Sequence, residues 1–221
     1  ENEDFRGAVT VDVTGFNGIR RRETGRGAAS DQASFRDLHP GGDGVLLPVR
    51  RHDVETLVAD LSVPSELDRV CEAGLAADLG LLVNNAGIGH SDAFLDVPLE
   101  DHLLALDVNI RAFLVLTHRL APALCKRGRG GLIFTSSMSA LLGPPGVAQY
   151  AATKVYARNL AEALYGELHS QGVDVLALLP GLTRTRQVTK DLSDEAIAAM
   201  PAMEPGPVAE AALRGLGKKR V

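Results

Sequence analysis

The chain has 221 residues, of which 45% are hydrophobic, and its formal net charge is −5. This composition is typical of a globular protein with enough apolar sequence for one α/β domain. No basic patch is interleaved with aromatic residues, which argues against a nucleic-acid partner. No apolar run reaches membrane-spanning length, no signal peptide is visible, and neither cysteines nor histidines have metal-ligand spacing. We therefore predict a soluble, cytoplasmic protein with no membrane partner and no metal site.

The first 53 residues carry weak and conflicting structural signals. Residues 8–13 alternate between apolar and polar side chains and predict a strand, and residues 28–38 could form a short helix. A second strand over residues 45–49 would end only a few residues before a third that begins near Val54. A parallel crossover needs about a dozen residues or more, so these two strands cannot be joined in that way. We therefore treat this segment as an atypical N-terminal part of the domain.

From Val54 onward the sequence has regular α/β periodicity. Residues 56–61 predict a buried strand with an acidic residue, Asp60, at its end. A helix follows, with capping residues before Glu66. Asp60 could serve as a ligand contact, or it could simply form a strand-end turn or a cap.

The middle of the chain combines a strand, a small-residue loop and a long helix. Residues 79–83 predict an apolar strand, and the sequence Asn84-Asn85-Ala86-Gly87 follows it directly. The small alanine and glycine would let a ligand lie close to the backbone, whereas Asn84 could also tie neighbouring elements together. Residues 99–127 have the apolar spacing of one long helix, and Asn109 falls on its apolar face.

Tyr150 and Lys154 lie four residues apart in an Ala-rich stretch that predicts a helix, so their side chains share one helix face. A free tyrosine has a pKa near 10, and a neighbouring cation favours its anion, which would allow general acid–base chemistry. The alternative is a surface tyrosine–lysine pair. The preceding strand, residues 132–135, ends in Ser136-Ser137, and Ser137 lies thirteen positions before Tyr150. Strand ends in open α/β sheets are where ligands bind.

The last third of the chain repeats the pattern of a strand followed by a loop. Residues 173–179 predict a strand, and Pro180-Gly181-Leu182-Thr183-Arg184-Thr185 follows it. Residues 187–203 are interpreted as a mobile substrate lid, and residues 207–216 as a final helix.

Together these motifs, in this order, resemble the short-chain dehydrogenase/reductase family over about Val54 to Arg214. The resemblance implies a three-layer α/β/α Rossmann-type fold with a mostly parallel sheet. The N-terminal βαβ unit would be atypical and the last strand missing, so a fragment or a frame-damaged member is expected. The implied division is an atypical segment over residues 1–53 and a Rossmann-type core over residues 54–221.

The N-terminal loop departs from the family pattern. The family's first phosphate loop reads Thr-Gly-x-x-x-Gly-x-Gly, whereas residues 14–19 are one residue short and Arg20 stands where the last glycine should be. That glycine allows close packing of the helix and close approach of a pyrophosphate. A phosphate loop and an ordinary glycine turn both remain possible here.

The resemblance implies four catalytic residues. Tyr150 would be the acid or base, and Lys154 would lower its pKa and hold the nicotinamide ribose. Ser137 would bond the substrate oxygen, and Asn109 would bend its helix and hold a water behind the lysine in a proton relay. A lone buried asparagine that bonds only the backbone is the alternative for Asn109. The implied cofactor contacts come from Asp60, Leu61, Asn84, Ala86, Gly87, Tyr150, Lys154, Pro180, Gly181, Thr183 and Thr185.

The function implied is hydride transfer between NAD or NADP and a carbonyl compound or secondary alcohol, by a homodimer or homotetramer. Two alternatives stay open: a non-catalytic Rossmann-like remnant that has lost dinucleotide binding, and a cofactor-sensing interaction protein without turnover. Leu141, Leu142 and Val147, in the loop before Tyr150, are apolar and favour a lipophilic substrate.

Overall fold

A computed structural model of the chain describes residues 10–12, 56–189 and 193–221. The predicted phosphate loop, the helix over 28–38 and the strand over 45–49 lie outside the described residues.

All strand pairings are parallel in the described part of the chain. β1 (Thr10–Asp12) pairs with β2 (Thr56–Val58), with Val11 opposite Leu57. A second sheet has the order β3 (Leu81–Asn84), β4 (Gly130–Thr135) and β5 (Val173–Leu178). The predicted Rossmann-type fold with a parallel sheet is therefore confirmed.

Helices follow the strands in the βαβ manner that parallel pairing requires. The helices are α1 (Pro64–Ala76), α2 (Leu99–Leu106), α3 (Ala112–Arg127), α4 (Ala148–Leu168), α5 (Arg186–Thr189), α6 (Asp194–Ala199) and α7 (Pro205–Gly215). A π-helical turn, Asp107–Arg111, joins α2 to α3, so the long helix predicted over residues 99–127 is continuous but not uniform. Short 3₁₀ turns occupy Met138–Leu141 and His169–Gln171.

The sheet is covered on both faces, which gives three layers. Side chains alternate across a strand, so Leu132 and Phe134 of β4 face the core formed with α1, α3 and α4. Ile133 points the other way and packs with Leu176 of β5 and Ala212 of α7. This double coverage explains why β4 is a continuous apolar run rather than an alternating one.

The segment between β2 and α1 differs from the sequence-based prediction. The strand ends at Val58, earlier than predicted, because Asp60 begins a turn in which Val63 N–H donates to the Asp60 carbonyl at 3.1 Å. The predicted capping side chain is also wrong: α1 is preceded by Val63 without a side-chain cap. The Glu66 carboxylate instead accepts a 2.6 Å hydrogen bond from Asp60 N–H.

After β5 no further strand occurs in residues 179–189 and 193–221. The chain nevertheless returns to the sheet after α7, where Ala177 N–H donates to the Arg220 carbonyl at 2.8 Å. Among all the residues that the structure describes, no helix combines the length and apolar character needed to cross a bilayer.

Candidate active site

The carboxyl ends of β3, β4 and β5 lie along one edge of the sheet because the strands are parallel neighbours. Three of the motifs singled out in the sequence follow these strands: Asn84–Gly87, Ser136-Ser137 and Pro180–Thr185. Met138 N–H donates to the Pro180 carbonyl at 3.0 Å, which ties the second loop to the third. The sheet therefore assembles segments that are far apart in the chain into one site.

Lys154 is buried, with only 3% of its surface exposed. Its Nζ donates to the carbonyl of Thr135 at the end of β4, at 2.8 Å, and lies 5.5 Å from the centre of the Tyr150 ring. Burial lowers the pKa of the Lys154 ammonium from its usual 10.5 to about 8. Ser136 fixes this part of α4 to β4, because its hydroxyl donates to the Lys154 carbonyl at 2.7 Å.

The Tyr150 phenol is also largely buried, and burial raises its pKa above the usual value of 10. A hydrogen bond with the Ser137 side chain lowers the pKa and offsets part of that effect. Burial is therefore the largest influence on the pKa of Tyr150, and a lowering of that pKa by Lys154 stays a prediction. Ser137 itself is held at the start of a 3₁₀ turn, where its Oγ accepts from Ser139 N–H at 3.1 Å.

Asn109 lies in the π-helical turn and is 1% exposed. Its Oδ1 accepts from Ile88 N–H at 2.9 Å and its Nδ2 donates to the Ile88 carbonyl at 2.8 Å. The same Nδ2 donates to Thr153 Oγ1 at 3.0 Å, and Thr153 Oγ1 donates to the Tyr150 carbonyl at 2.8 Å. The side chain thus fixes the loop after β3 and the helix that carries Tyr150. A relay role for Asn109 stays a prediction, because these protein contacts already engage its amide.

Two glycines in the loop after β3 are required by the site. A Cβ at Gly87 would lie 3.1 Å from Lys154 Nζ and 3.6 Å from Asn109 Oδ1. A Cβ at Gly89 would lie 2.5 Å from Tyr150 Cδ2, closer than side-chain atoms pack. The absence of side chains at these positions lets the loop approach the lysine and the tyrosine closely.

Asn84 and Asp60 both have structural partners. Asn84 Nδ2 donates to Thr117 Oγ1 at 3.0 Å, which links β3 to α3, while its buried Oδ1 has no protein partner in the described part of the chain. The Asp60 carboxylate accepts from Ser62 N–H at 2.9 Å and from the Ser62 hydroxyl at 2.6 Å. This is the strand-end turn that the sequence left open for Asp60. Leu61 beside it is 2% exposed, so its side chain belongs to the core.

The loop after β5 is held to the segment that follows it. Thr183 bonds the Gly181 carbonyl through its hydroxyl at 3.0 Å and forms a parallel bridge with Met203. Arg184 pairs with Glu204 at 2.7 Å and donates to the carbonyls of Ile197 and Met200, at the end of α6. Thr185 begins α5, since its carbonyl accepts from the N–H groups of residues 188 and 189. The end of the predicted lid is therefore tied to the Pro180–Thr185 loop.

A small, open cleft lies beside Tyr150. Its lining includes Gly89, His90, Phe94, Val97, His102 and Val147. The His102 ring stacks on Phe94 with ring centres 4.5 Å apart, and its Nε2 lies 3.0 Å from the Phe94 carbonyl. The cleft thus lies next to the residues predicted for proton transfer.

Several residues of this site were not predicted from sequence. Ser136, Thr153 and Gly89 all position the tyrosine or the lysine through contacts described above. Thr153 offered one signal, since a β-branched polar residue interrupts the alanines directly before Lys154. The other contacts join residues far apart in the chain and leave no local signature.

The family model for short chain dehydrogenase matches residues 47–196, which is more than half of the chain. The chain belongs to the short-chain dehydrogenase/reductase family. Among curated proteins, this short-chain dehydrogenase/reductase is 30% identical over 139 residues to the very-long-chain 3-oxoacyl-CoA reductase of Homo sapiens. It is 33% identical over 126 residues to the 3alpha-hydroxysteroid dehydrogenase of Mediterraneibacter gnavus.

These alignments cover 61% and 57% of this chain but only 44% and 50% of the two relatives, so the chain spans about half of their length. Among solved structures, it is similar to a short-chain dehydrogenase from Sphingobium yanoikuyae in complex with NADPH. The TM-score is 0.66 at 32% identity, and the match covers 73% of this chain and 63% of that one.

Proposed function

We propose that this short-chain dehydrogenase/reductase is an NAD(P)-dependent oxidoreductase that interconverts a lipophilic ketone and its secondary alcohol. The burial of Lys154 beside Tyr150 and Ser137 carries this proposal. An ammonium that is 3% exposed is costly to bury, whereas a surface tyrosine–lysine pair would leave it in water. The two curated relatives are a 3-oxoacyl-CoA reductase and a hydroxysteroid dehydrogenase, and both names support a lipophilic substrate.

In the reducing direction, Tyr150 Oη donates its proton to the carbonyl oxygen of the substrate. Because burial raises the pKa of the phenol, Tyr150 is protonated at neutral pH, as donation of a proton to the substrate requires. The Ser137 hydroxyl bonds the same oxygen and orients the carbonyl. In the oxidising direction Tyr150 accepts the proton of the alcohol. When bound, the nicotinamide cofactor supplies or accepts the hydride.

The described residues fit a nicotinamide cofactor along the carboxyl edge of the sheet. Lys154, Ala86 and Gly87 would hold the nicotinamide ribose, since Gly87 brings the loop backbone close to Lys154 Nζ. The loop from Pro180 to Thr185 would meet the carboxamide and phosphates. The remaining contacts would come from Asp60, Leu61 and Asn84, and either NAD or NADP is compatible with this set.

The proposal extends to the whole chain and its assembly. Residues 54–221 would form the catalytic core, with residues 1–53 as its atypical N-terminal segment. A homodimer or homotetramer is supported by an apolar stripe along α2 and α3, where Leu99, Leu103 and Leu114 are 69%, 52% and 46% exposed. The substitution Leu103→Glu should then dissociate the assembly, as measured by sedimentation velocity; a wild-type chain that sediments as a monomer would contradict it.

The experiment that tests the function compares the wild-type chain with the Tyr150→Phe variant. We expect both proteins to bind NADH or NADPH in a calorimetric titration, because the phenol oxygen is not needed to hold the lysine in place. We expect turnover of lipophilic ketones to fall by about 10²–10⁴ in the variant, the contribution of a general acid.

Each outcome distinguishes the alternatives. Binding without turnover in the wild-type chain would favour a cofactor-sensing protein, and absence of binding would favour a non-catalytic remnant. Retained turnover in the Tyr150→Phe variant, within about tenfold of wild type, would remove Tyr150 from the mechanism.

A further inference from the structure

The described residues that line the cleft beside Tyr150 include the carboxylate of Asp92 and no lysine or arginine. Residues 70–110 contain neither basic residue, and residues 136–153 contain no charged residue at all. Asp92 lines the cleft, and Asp101 lies at its edge with Oδ2 3.8 Å from His90 Nε2. Two further carboxylates, Asp96 and Glu100, are exposed in the same segment. Two carboxylates, those of Asp92 and Asp101, therefore lie at the cleft.

Apolar side chains also line the cleft. Phe94, Val97 and Val147 are among its lining residues, and Phe94 is 54% exposed. Leu141 and Leu142, in the loop between Ser137 and Tyr150, are 48% and 75% exposed. An apolar lining favours an apolar ligand, since binding removes its surface from water.

One cation of the loop after β5, Arg184, is already engaged. The guanidinium of Arg184 pairs with Glu204 at 2.7 Å and donates to the carbonyls of Ile197 and Met200. Lys154 is buried and directed to the Thr135 carbonyl. Phosphate groups are recognised by free arginine and lysine side chains, and the described lining of the cleft offers neither.

We infer that the substrate is a free, uncharged lipophilic ketone rather than an acyl group carried on coenzyme A or on another phosphorylated or acidic carrier. This inference rests on the proposed oxidoreductase function and specifies its substrate class. Like charges placed opposite each other disfavour a partner, so the carboxylates at the cleft exclude phosphorylated carriers while the apolar side chains admit the neutral compound.

The test compares two thioesters with the same reacting ketone: 3-oxodecanoyl-N-acetylcysteamine, which is uncharged, and 3-oxodecanoyl-CoA, which carries three phosphates. The full chain is assayed with NADPH and with NADH at low ionic strength. We expect kcat/KM for the neutral thioester to exceed that for the CoA thioester by about tenfold or more, and the gap to narrow as salt screens the charges.

Charge reversal isolates the electrostatic cause. The double variant Asp92→Lys/Asp101→Lys should raise the ratio of CoA to neutral thioester kcat/KM by about tenfold. The control is Glu72→Lys, the reversal of an exposed carboxylate near the end of α1, which lies toward the opposite edge of the sheet. It should leave the ratio as in the wild-type chain.

Two results would overturn the inference while leaving the proposed function intact: a CoA thioester reduced as well as the neutral one by the wild-type chain, or a ratio that the double reversal does not change. Reduction of neither thioester, nor of a simple lipophilic ketone such as 2-decanone, would instead overturn the proposed oxidoreductase function, and the inference would fall with it.

Discussion

Asn109 of the π-helical turn donates a 3.0 Å hydrogen bond to Thr153 of α4, although the two residues are 44 positions apart. Thr153 in turn donates to the Tyr150 carbonyl at 2.8 Å. The Asn109 side chain also bonds the backbone N–H and the backbone carbonyl of Ile88. One asparagine thus sets the position of the tyrosine helix relative to the loop that lines the other side of the site.

The first prediction concerns Thr153, which is 1% exposed. The nearly isosteric change Thr153→Val removes the hydroxyl and leaves an Asn109 N–H unpaired in the interior. We expect the free energy of unfolding to fall by about 1–3 kcal/mol, as measured by urea denaturation. We expect kcat to fall by about tenfold, because a small displacement of a catalytic group is costly. The control Thr153→Ser keeps the hydroxyl and should restore kcat. If Thr153→Val lost stability but kept kcat, Thr153 would be a structural residue only.

The second prediction concerns Gly89, where close approach to Tyr150 leaves no room for a side chain. In Gly89→Ala the added Cβ would lie 2.5 Å from Tyr150 Cδ2 and 3.0 Å from its Cβ, so the ring or the loop must move. We expect kcat to drop by about tenfold or more while the melting temperature changes little. Gly143→Ala is the matched control, because nothing lies within 4 Å of a Cβ at that position. Equal activity of the two variants would show that the loop moves without disturbing Tyr150.

Much of the architecture could be predicted from sequence because it is encoded locally. Apolar runs predicted β3, β4 and β5, and the spacing of Ser137, Tyr150 and Lys154 predicted their convergence on one site. The limits of elements were less predictable. β2 ends early because Asp60 forms a turn with Ser62, a competition between side-chain and backbone hydrogen bonding that apolar periodicity does not register.

The electrostatics of the site could not be predicted from sequence. A helical spacing places Lys154 next to Tyr150 but does not reveal how deeply either is buried. Burial raises the pKa of Tyr150 and lowers that of Lys154, and the helical spacing predicts neither effect. The hydrogen bonds of the Asn109 side chain could not be predicted either, because they depend on how the long helix crosses α4.

The third prediction follows from the pKa of Lys154, about 8 in the folded chain against the usual 10.5. Below about pH 8 both the folded and the unfolded chain bind the proton, and the buried ammonium destabilises the fold. Between about pH 8 and 10.5 only the unfolded chain still binds it, so the free energy of unfolding should rise with pH. A difference of this size corresponds to about 3 kcal/mol at most.

The variant Lys154→Met removes this titration and keeps a similar apolar stem. At pH 7 we expect the variant to be more stable than the wild-type chain by up to about 2 kcal/mol, since the lost hydrogen bond to the Thr135 carbonyl offsets part of the gain. Between pH 8 and 10.5 the stability advantage of the variant should shrink and then reverse, because the buried ammonium of the wild-type chain loses its proton and the variant has no such group. Urea denaturation of both proteins at pH 7, 8, 9 and 10 measures that difference, in which the titrations common to both chains cancel. A stability difference that does not change with pH would contradict this prediction. It would show that Lys154 keeps an ordinary pKa in the folded chain, so that a negative charge would have to stabilise the buried ammonium, which the Thr135 carbonyl alone does not supply.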